Sequence, residues 1–450
     1  MNVKLAYGDG CLTVALPDGR TTIIEPLNMP GLADERAGVL AALDRPVGAR
    51  PLREQVGRKS KVTIVFTDIT RPTPNHRMIP WLLEYLSGLV SPENITLLNA
   101  TGTHRPNTRA ELEQLLTPEV MAAYRVLNHE PENLEAHIQV GVTRSGVPAL
   151  LNRHVVEADV RIITGFIEPH FFAGFSGGPK GIMPGVAHLQ TVMSNHGYRN
   201  ISDINAAFGV TDGNPLWEEM REIALRAGES FLLNVALNEQ RQITGVFAGE
   251  LVAAHKAGTE FVRRSAMQPV SQLFDIVVTT NSGHPLDMNL YQGVKGMSAG
   301  ARILKPGGLL ILAAECREGV PAGSPMDQLL RSAKNPEEVL GLVATPGSVR
   351  PEQWQAQILA LIQRRARVLV HSSLPDAVVR AAHLEPCRDI ARSVQEGLRA
   401  AGDTARVAVL PQGPLTIPYL AGHDGGRPLG QMATKRERLE SSRSRSASRD

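Results

Sequence analysis

Short apolar runs rich in Val and Ile recur along the chain with helical patterns between them, and this alternation leaves few folds open. The runs are "KVTIVF" (61–66), "NITLLNA" (94–100), "VRIITGF" (160–166), "FDIVVTT" (274–280), "GLLILAA" (308–314), "ARVLVHS" (366–372) and "ARVAVLP" (405–411). Runs this short and this continuously apolar read as strands buried on both faces, which is the habit of parallel strands covered by helices. Helical patterns such as "HRMIPWLLEYLSGL" and "RAELEQLLTPEVMAAY" fit between them. The expected class is therefore α/β with mostly parallel sheets. A chain of 450 residues exceeds one ordinary core, so two domains are expected. The stretch "GELVAAHKAGTEFVRRSAMQ" (249–268) reads as a long helix between the two groups of strands, placing an N-terminal catalytic domain at 1–270 and a C-terminal α/β domain at 271–420. The Ser/Arg-rich tail, 430–450, has no apolar periodicity and is expected to be disordered.

Charge narrows the partners. Forty-seven Lys and Arg against 45 Asp and Glu leave a formal charge of +2, too small to make a field for nucleic acid or an anionic membrane. The N-terminus "MNVKLAYGDGCLTVALPDGR" reads as two short strands around a turn, without the apolar core of a signal peptide. Cys11, Cys316 and Cys387 are far apart and not in metal-type spacing, as in a reduced cytoplasmic protein. A cytoplasmic protein that binds neither nucleic acid nor membrane is expected.

In open α/β sheets, ligands bind beyond the carboxyl ends of the strands, and the polar residues collect there. "KVTIVF" runs into "TDITRPTP" with Asp68, Thr70 and Arg71; "NITLLNA" runs into "TGTHRP" with His104 and Arg105; "VRIITGF" runs into "IEPHFFAGFSGGPKG" with Glu168, His170, Ser176 and Lys180. Two histidines at strand ends of one expected sheet are a pair able to accept and return protons near neutral pH. The glycine-rich loop fails the Walker pattern, which requires glycine at 179 and Ser or Thr at 181 where the chain has Pro179 and Gly181. A looser anion nest at Ser176, Gly177 and Gly178 remains open. No G-x-G-x-x-G dinucleotide fingerprint follows a first strand, which disfavours a nicotinamide dehydrogenase. Lys180 is then either a phosphate-binding cation or a lysine held for covalent chemistry. "HLQTVMSNHGYRN" holds His188 and His196, one of which could be an imidazole ligand for nickel, copper or zinc, without the H-E-x-x-H of a zincin. Further on, "NSGHPLDMNLYQGVKGM" supplies Tyr291, Gln292 and Lys295, suited to a carboxylate or phosphate.

Together "DITRPTP", "NATGTHRP", "GFIEPHFFAGFSGGPKGIMPG", "SNHGYRN" and "LYQGVKG", in this order and spacing, resemble the nickel-dependent lactate racemase family, over about residues 60–360. The resemblance implies an active site in the interdomain cleft and a nickel-pincer nucleotide, a pyridinium-3-thioamide-5-thiocarboxylic acid mononucleotide. It implies attachment of that cofactor to Lys180 through a thioamide, with His196 as the protein's nickel ligand. His104 and His170 match the paired acid/base residues. Arg71 and Lys295 match the groups holding the substrate carboxylate, with Gln292 beside them and Trp354 an aromatic at the mouth of the site. Asp68 and Tyr291 match positions lining the cofactor and substrate pocket.

The reaction so implied is inversion of C2 of a 2-hydroxy acid, lactate or a short-chain relative, by reversible hydride transfer through a planar 2-oxo acid. Removing the C2 proton directly would demand a very strong base, because the neighbouring carboxylate destabilises the carbanion; oxidation followed by reduction avoids it. The implied partners are the small substrate and the proteins that make and insert the cofactor. Two rivals share the motifs: a C2 epimerase of a larger sugar acid, and a non-catalytic carrier of the nickel cofactor, which would have no use for an acid/base pair.

Overall fold

Two six-stranded sheets carry the fold, seen in a computed structural model that describes residues 1–345 and 349–421. The first strand of these sheets in chain order, β1 (Thr21–Ile23), pairs not with its sequence neighbours but with a strand near the chain's other end. The next six are β2 (Val62–Thr67), β3 (Ile95–Ala100), β4 (Arg125–Asn128), β5 (Val160–Phe166), β6 (Ser230–Leu237) and β7 (Ile243–Glu250). They form one sheet in the order β7-β6-β5-β2-β3-β4. All its pairings are parallel except β6 with β7 at the edge.

The apolar runs are continuous because helices cover both faces. On one face Ile64, Phe66, Leu97, Ile162 and Leu233 share a core with Met78, Leu82 and Leu86 of α1 (Asn75–Leu86). Each of these side chains, taken from water, contributes roughly 1.5–3 kcal/mol. The pattern at 109–124, expected as one helix, is two: α2 (Arg109–Leu116) and α3 (Pro118–Ala123). Thr117 between them sits at φ +81°. Pro118 is the reason, since its ring disfavours helical geometry in the residue before it and it donates no hydrogen bond back. Further along lie α4 (Leu189–Asn195) and α5 (Leu251–Ala266), the second capped by Glu250.

The second sheet is wholly parallel. Its strands are β8 (Phe274–Thr280), β9 (Leu304–Ala313), β10 (Arg367–His371), β11 (Glu385–Pro386) and β12 (Val407–Leu410), in the order β11-β10-β9-β8-β12-β1. Its helices include α6 (Leu290–Ala301), which follows β8, and α7 (Gln353–Gln363) begins before β10.

By contacts the chain divides into one unit of residues 26–267 and 340–357, and another of 1–25, 268–339 and the chain from 358. Two segments depart from the expected division at about 270. The N-terminal residues, expected with the first domain, join the second unit because β1 needs the ladder that β12 offers: Ala408 pairs with Thr22 and Val409 with Ile23. Residues 340–357 fall in the first unit although they follow its helix α5 by more than seventy positions. Among the described residues no helix is long and apolar enough to cross a membrane. The tail 430–450 lies outside the described residues.

Candidate active site

Register brings the first pair of polar loops together. Thr67 at the end of β2 pairs with Ala100 at the end of β3, so the chain leaves both strands at one level. Asp68 follows the first strand and is 2% exposed; the turn after the second places His104, whose N–H donates to the carbonyl of Thr101 at 2.9 Å. The side chains meet: His104 Nδ1 lies 2.7 Å from Asp68 Oδ2. Asp68 Oδ1 accepts from the hydroxyl of Thr70 at 2.8 Å. Burial disfavours the charged carboxyl, but the bond and charge of His104, the charge of Arg71 and the Thr70 hydroxyl outweigh it and hold Asp68 below the usual carboxylate range. Asp68, expected to line the cofactor pocket, is hydrogen-bonded to His104, a pairing that the sequence does not announce.

β5 leads into the glycine-rich loop. Pro169–His170 and Gly174–Phe175 form a two-residue antiparallel ladder, with Gly174 at φ +76° where a Cβ would lie 2.2 Å from the carbonyl oxygen of Val210. His170 Nδ1 accepts from the N–H of Ala173 at 3.2 Å, and its ring meets Phe171 and Phe172 at 5.0 and 4.5 Å between centroids. Lys180 follows in a short 3₁₀ turn, Gly178–Gly181. Its Nζ stands 5.7 Å over the ring of Phe172.

At the expected anion nest, three donors have partners within the protein. The N–H of Ser176 donates to Glu168 O at 2.9 Å, its hydroxyl donates to Phe166 O at 3.0 Å, and the N–H of Gly178 donates to Asn234 Oδ1 at 2.8 Å. The glycines serve close approach: a Cβ on Gly177 would lie 2.4 Å from Asn234 Oδ1, and one on Gly178 would lie 2.4 Å from His255 Cγ. His255 and Asn234 brace this loop from α5 and β6, and neither stands in a motif that marks it in the sequence. A polar residue in the middle of the otherwise apolar "SFLLNVAL" was the available signal.

His188 and His196 flank α4 as its N-cap and C-cap, and they differ sharply. His188 Nδ1 caps the helix by accepting from Gln190 N–H at 3.2 Å, and its ring packs edge-on against His137. His196 is buried, and its Nδ1 has no hydrogen-bond partner. Its ring lies edge-on between Phe172 at 5.2 Å and Trp354 at 5.1 Å. Burial first and the Lys180 charge second push its pKa down to about 3, so it is a neutral imidazole at ordinary pH. A buried neutral imidazole nitrogen with no partner costs free energy unless a ligand uses its lone pair.

One aromatic cluster thus gathers His170, Phe172, Lys180, His196 and Trp354. The His104–Asp68 pair is tied to the same loop through the backbone, Gly102 N–H donating to Gly185 O at 3.0 Å and Gly185 N–H to Lys180 O at 3.1 Å. Arg71 acts on Asp68 electrostatically. Tyr291, Gln292 and Lys295 lie in the first two turns of α6, whose N-cap Asn289 accepts from Gln292 N–H at 3.1 Å. Among the described residues no three His, Cys, Asp or Glu side chains are grouped to hold a metal ion.

Most of the length has relatives. The family described as "Lactate racemase N-terminal domain" matches residues 7–209, and "Lactate racemase C-terminal domain" matches 270–417. A lactate racemase of Thermoanaerobacterium thermosaccharolyticum is 34% identical over 430 residues, 92% of this chain and 99% of that protein. One of Lactiplantibacillus plantarum is 35% identical over 382 residues, 84% and 90% of the two chains. The solved lactate racemase apoprotein from Thermoanaerobacterium thermosaccharolyticum superposes with a TM-score of 0.88 at 33% identity, covering 93% of this chain and all of that one.

Proposed function

The chain belongs to the lactate racemase family, and from that premise we propose that it is an isomerase inverting C2 of lactate or a short-chain relative with a nickel-pincer nucleotide held by Lys180 and His196. The observation that carries the cofactor reading is the His196 imidazole: buried, neutral, without a partner at Nδ1 and in the electrostatic reach of Lys180. These residues fit the group. Lys180 would supply the amine for a covalent tether and His196 an imidazole ligand of a type that suits nickel. When bound, the cofactor would supply a reversible acceptor for two electrons and the hydrogen of C2.

The chain's own residues do the rest. His104 takes the substrate hydroxyl proton at Nε2 and returns it, and His170 serves the opposite hand of the substrate. The Arg71 guanidinium matches a carboxylate in fork geometry and would keep the substrate from leaving between the two half-reactions. Lys295 and Gln292 are proposed as further donors to that carboxylate. The carrier reading loses ground to the His104–Asp68 pair, since a carrier needs no oriented base.

The test uses protein expressed together with the cofactor-synthesis pathway. Expected are a mass increment on the peptide containing Lys180, nickel near one per chain, and conversion of one lactate enantiomer to the racemate. A substrate panel read by enantiomer composition separates lactate from larger 2-hydroxy acids. Active protein free of nickel and of any adduct would overturn the reading.

A further inference from the structure

We infer that Asp68, clamped by Thr70, is a positioning residue that fixes the tautomer of His104 and so makes its Nε2 the working base. The inference rests on the reading of His104 as a base and adds what sets it. Asp68 is 2% exposed, and both of its carboxylate oxygens are held by directional bonds: Oδ2 to His104 Nδ1 at 2.7 Å, Oδ1 from Thr70 Oγ1–H at 2.8 Å. The N–H of Arg71 closes the turn onto the Asp68 carbonyl at 3.1 Å. An ionised carboxylate only accepts hydrogen bonds, so the proton of a neutral His104 must sit on Nδ1 and the lone pair on Nε2.

The side chain of His104 is 42% exposed whereas that of Asp68 is 3% exposed. The base therefore reaches outward while its orienting partner stays in the protein. In the forward step the substrate O–H bond breaks and an Nε2–H bond forms. The resulting imidazolium lies against the Asp68 carboxylate, which offsets its charge without itself taking the proton. On return the Nε2–H bond breaks and the hydroxyl re-forms.

Thr70 makes a sharper statement available. With Asn at position 68, the Thr70 hydroxyl still donates to the atom before it, which must then be the amide oxygen. The amide NH₂ is left facing His104 Nδ1, and it forces the proton to Nε2, the wrong nitrogen. Removing the hydroxyl lets the amide turn its oxygen toward His104 and restores the working tautomer.

The experiment compares wild type, Asp68→Asn and the double variant Asp68→Asn with Thr70→Val. Imidazole ¹⁵N chemical shifts of His104 in the full chain give the tautomer without reference to activity. Expected are Nδ1–H in wild type, Nε2–H in the single variant and recovery of Nδ1–H in the double. In cofactor-loaded enzyme, kcat should fall about 10²–10⁴-fold in the single variant with KM little changed, and recover in part in the double. A wild-type His104 carrying its proton on Nε2 would overturn the inference whether or not the variants fold, as would a double variant no better than the single in both readouts. A tautomer that switches as expected while kcat stays constant would instead remove His104 from the role of base, leaving Asp68 as its orienter.

Discussion

His255 donates through Nε2 to the carbonyl oxygen of Ser176 at 2.9 Å, and its ring occupies the space a side chain on Gly178 would need. The loop bearing Lys180 is thereby seated on a buried histidine, with Gly178 at φ +55°. Gly178→Ala meets both a strained backbone and a Cβ 2.4 Å from the imidazole, so we expect a loss of about 1–3 kcal/mol in unfolding free energy. Gly341→Ala, in the helix Pro336–Ala344 with nothing within 4 Å of the new Cβ, is expected to be neutral or stabilising by up to about 1 kcal/mol. Urea midpoints at constant m-value compare the two; equal shifts would count against the role given to His255.

Strands covered on both faces were readable because burial removes polar alternation, and β2, β3, β5 and β8 lie within one residue of the apolar runs that announced them. The unread strands have physical reasons. β4 is short and only half-buried, and β7 is an antiparallel edge strand with partly exposed residues. β6 carries Asn234 at its centre, which looks like an interruption until the loop that it holds is seen. In the site, residue types were legible but pairings were not. Nothing in one dimension shows that Asp68 grips His104, thirty-six positions away, nor that Gly178 packs against His255.

The two roles assigned to Lys180 and His196 separate experimentally. His196→Ala should keep the covalent adduct on the Lys180 peptide and lose most of the nickel, whereas Lys180→Ala should lose the adduct. Intact mass gives the first quantity and elemental analysis the second. Loss of both in His196→Ala would mean that attachment itself requires the histidine.

Storage of the C2 hydrogen predicts that lactate racemised in heavy water carries almost no deuterium at C2, while the hydroxyl exchanges freely. Direct proton abstraction by either histidine predicts extensive incorporation, because an imidazolium facing solvent exchanges its proton. Mass spectrometry of each enantiomer after partial conversion decides between them.

Acid should weaken the fold before it charges the buried histidines. His129 is held neutral with Nε2 to Ala187 O at 3.1 Å and Nδ1 accepting from Asn152 at 3.3 Å. Burial, reinforced by neighbouring His137, pushes its pKa down to about 3. His255 is pushed down to about 4, by burial first and by the Lys180 charge. Both groups titrate near 6.5 in the unfolded chain. Below that pH the unfolded state takes up protons that the folded state refuses, so stability is full above about pH 6.5 and declines as pH falls toward 4. At pH 5 each histidine accounts for a loss of up to about 2 kcal/mol, at roughly 1.4 kcal/mol per pH unit. His129→Gln keeps a donor for the Ala187 carbonyl but cannot be protonated. Its unfolding free energy should therefore vary less steeply between pH 6.5 and pH 5, by up to one bound proton. Parallel curves for the two proteins would show that His129 is no harder to protonate folded than unfolded.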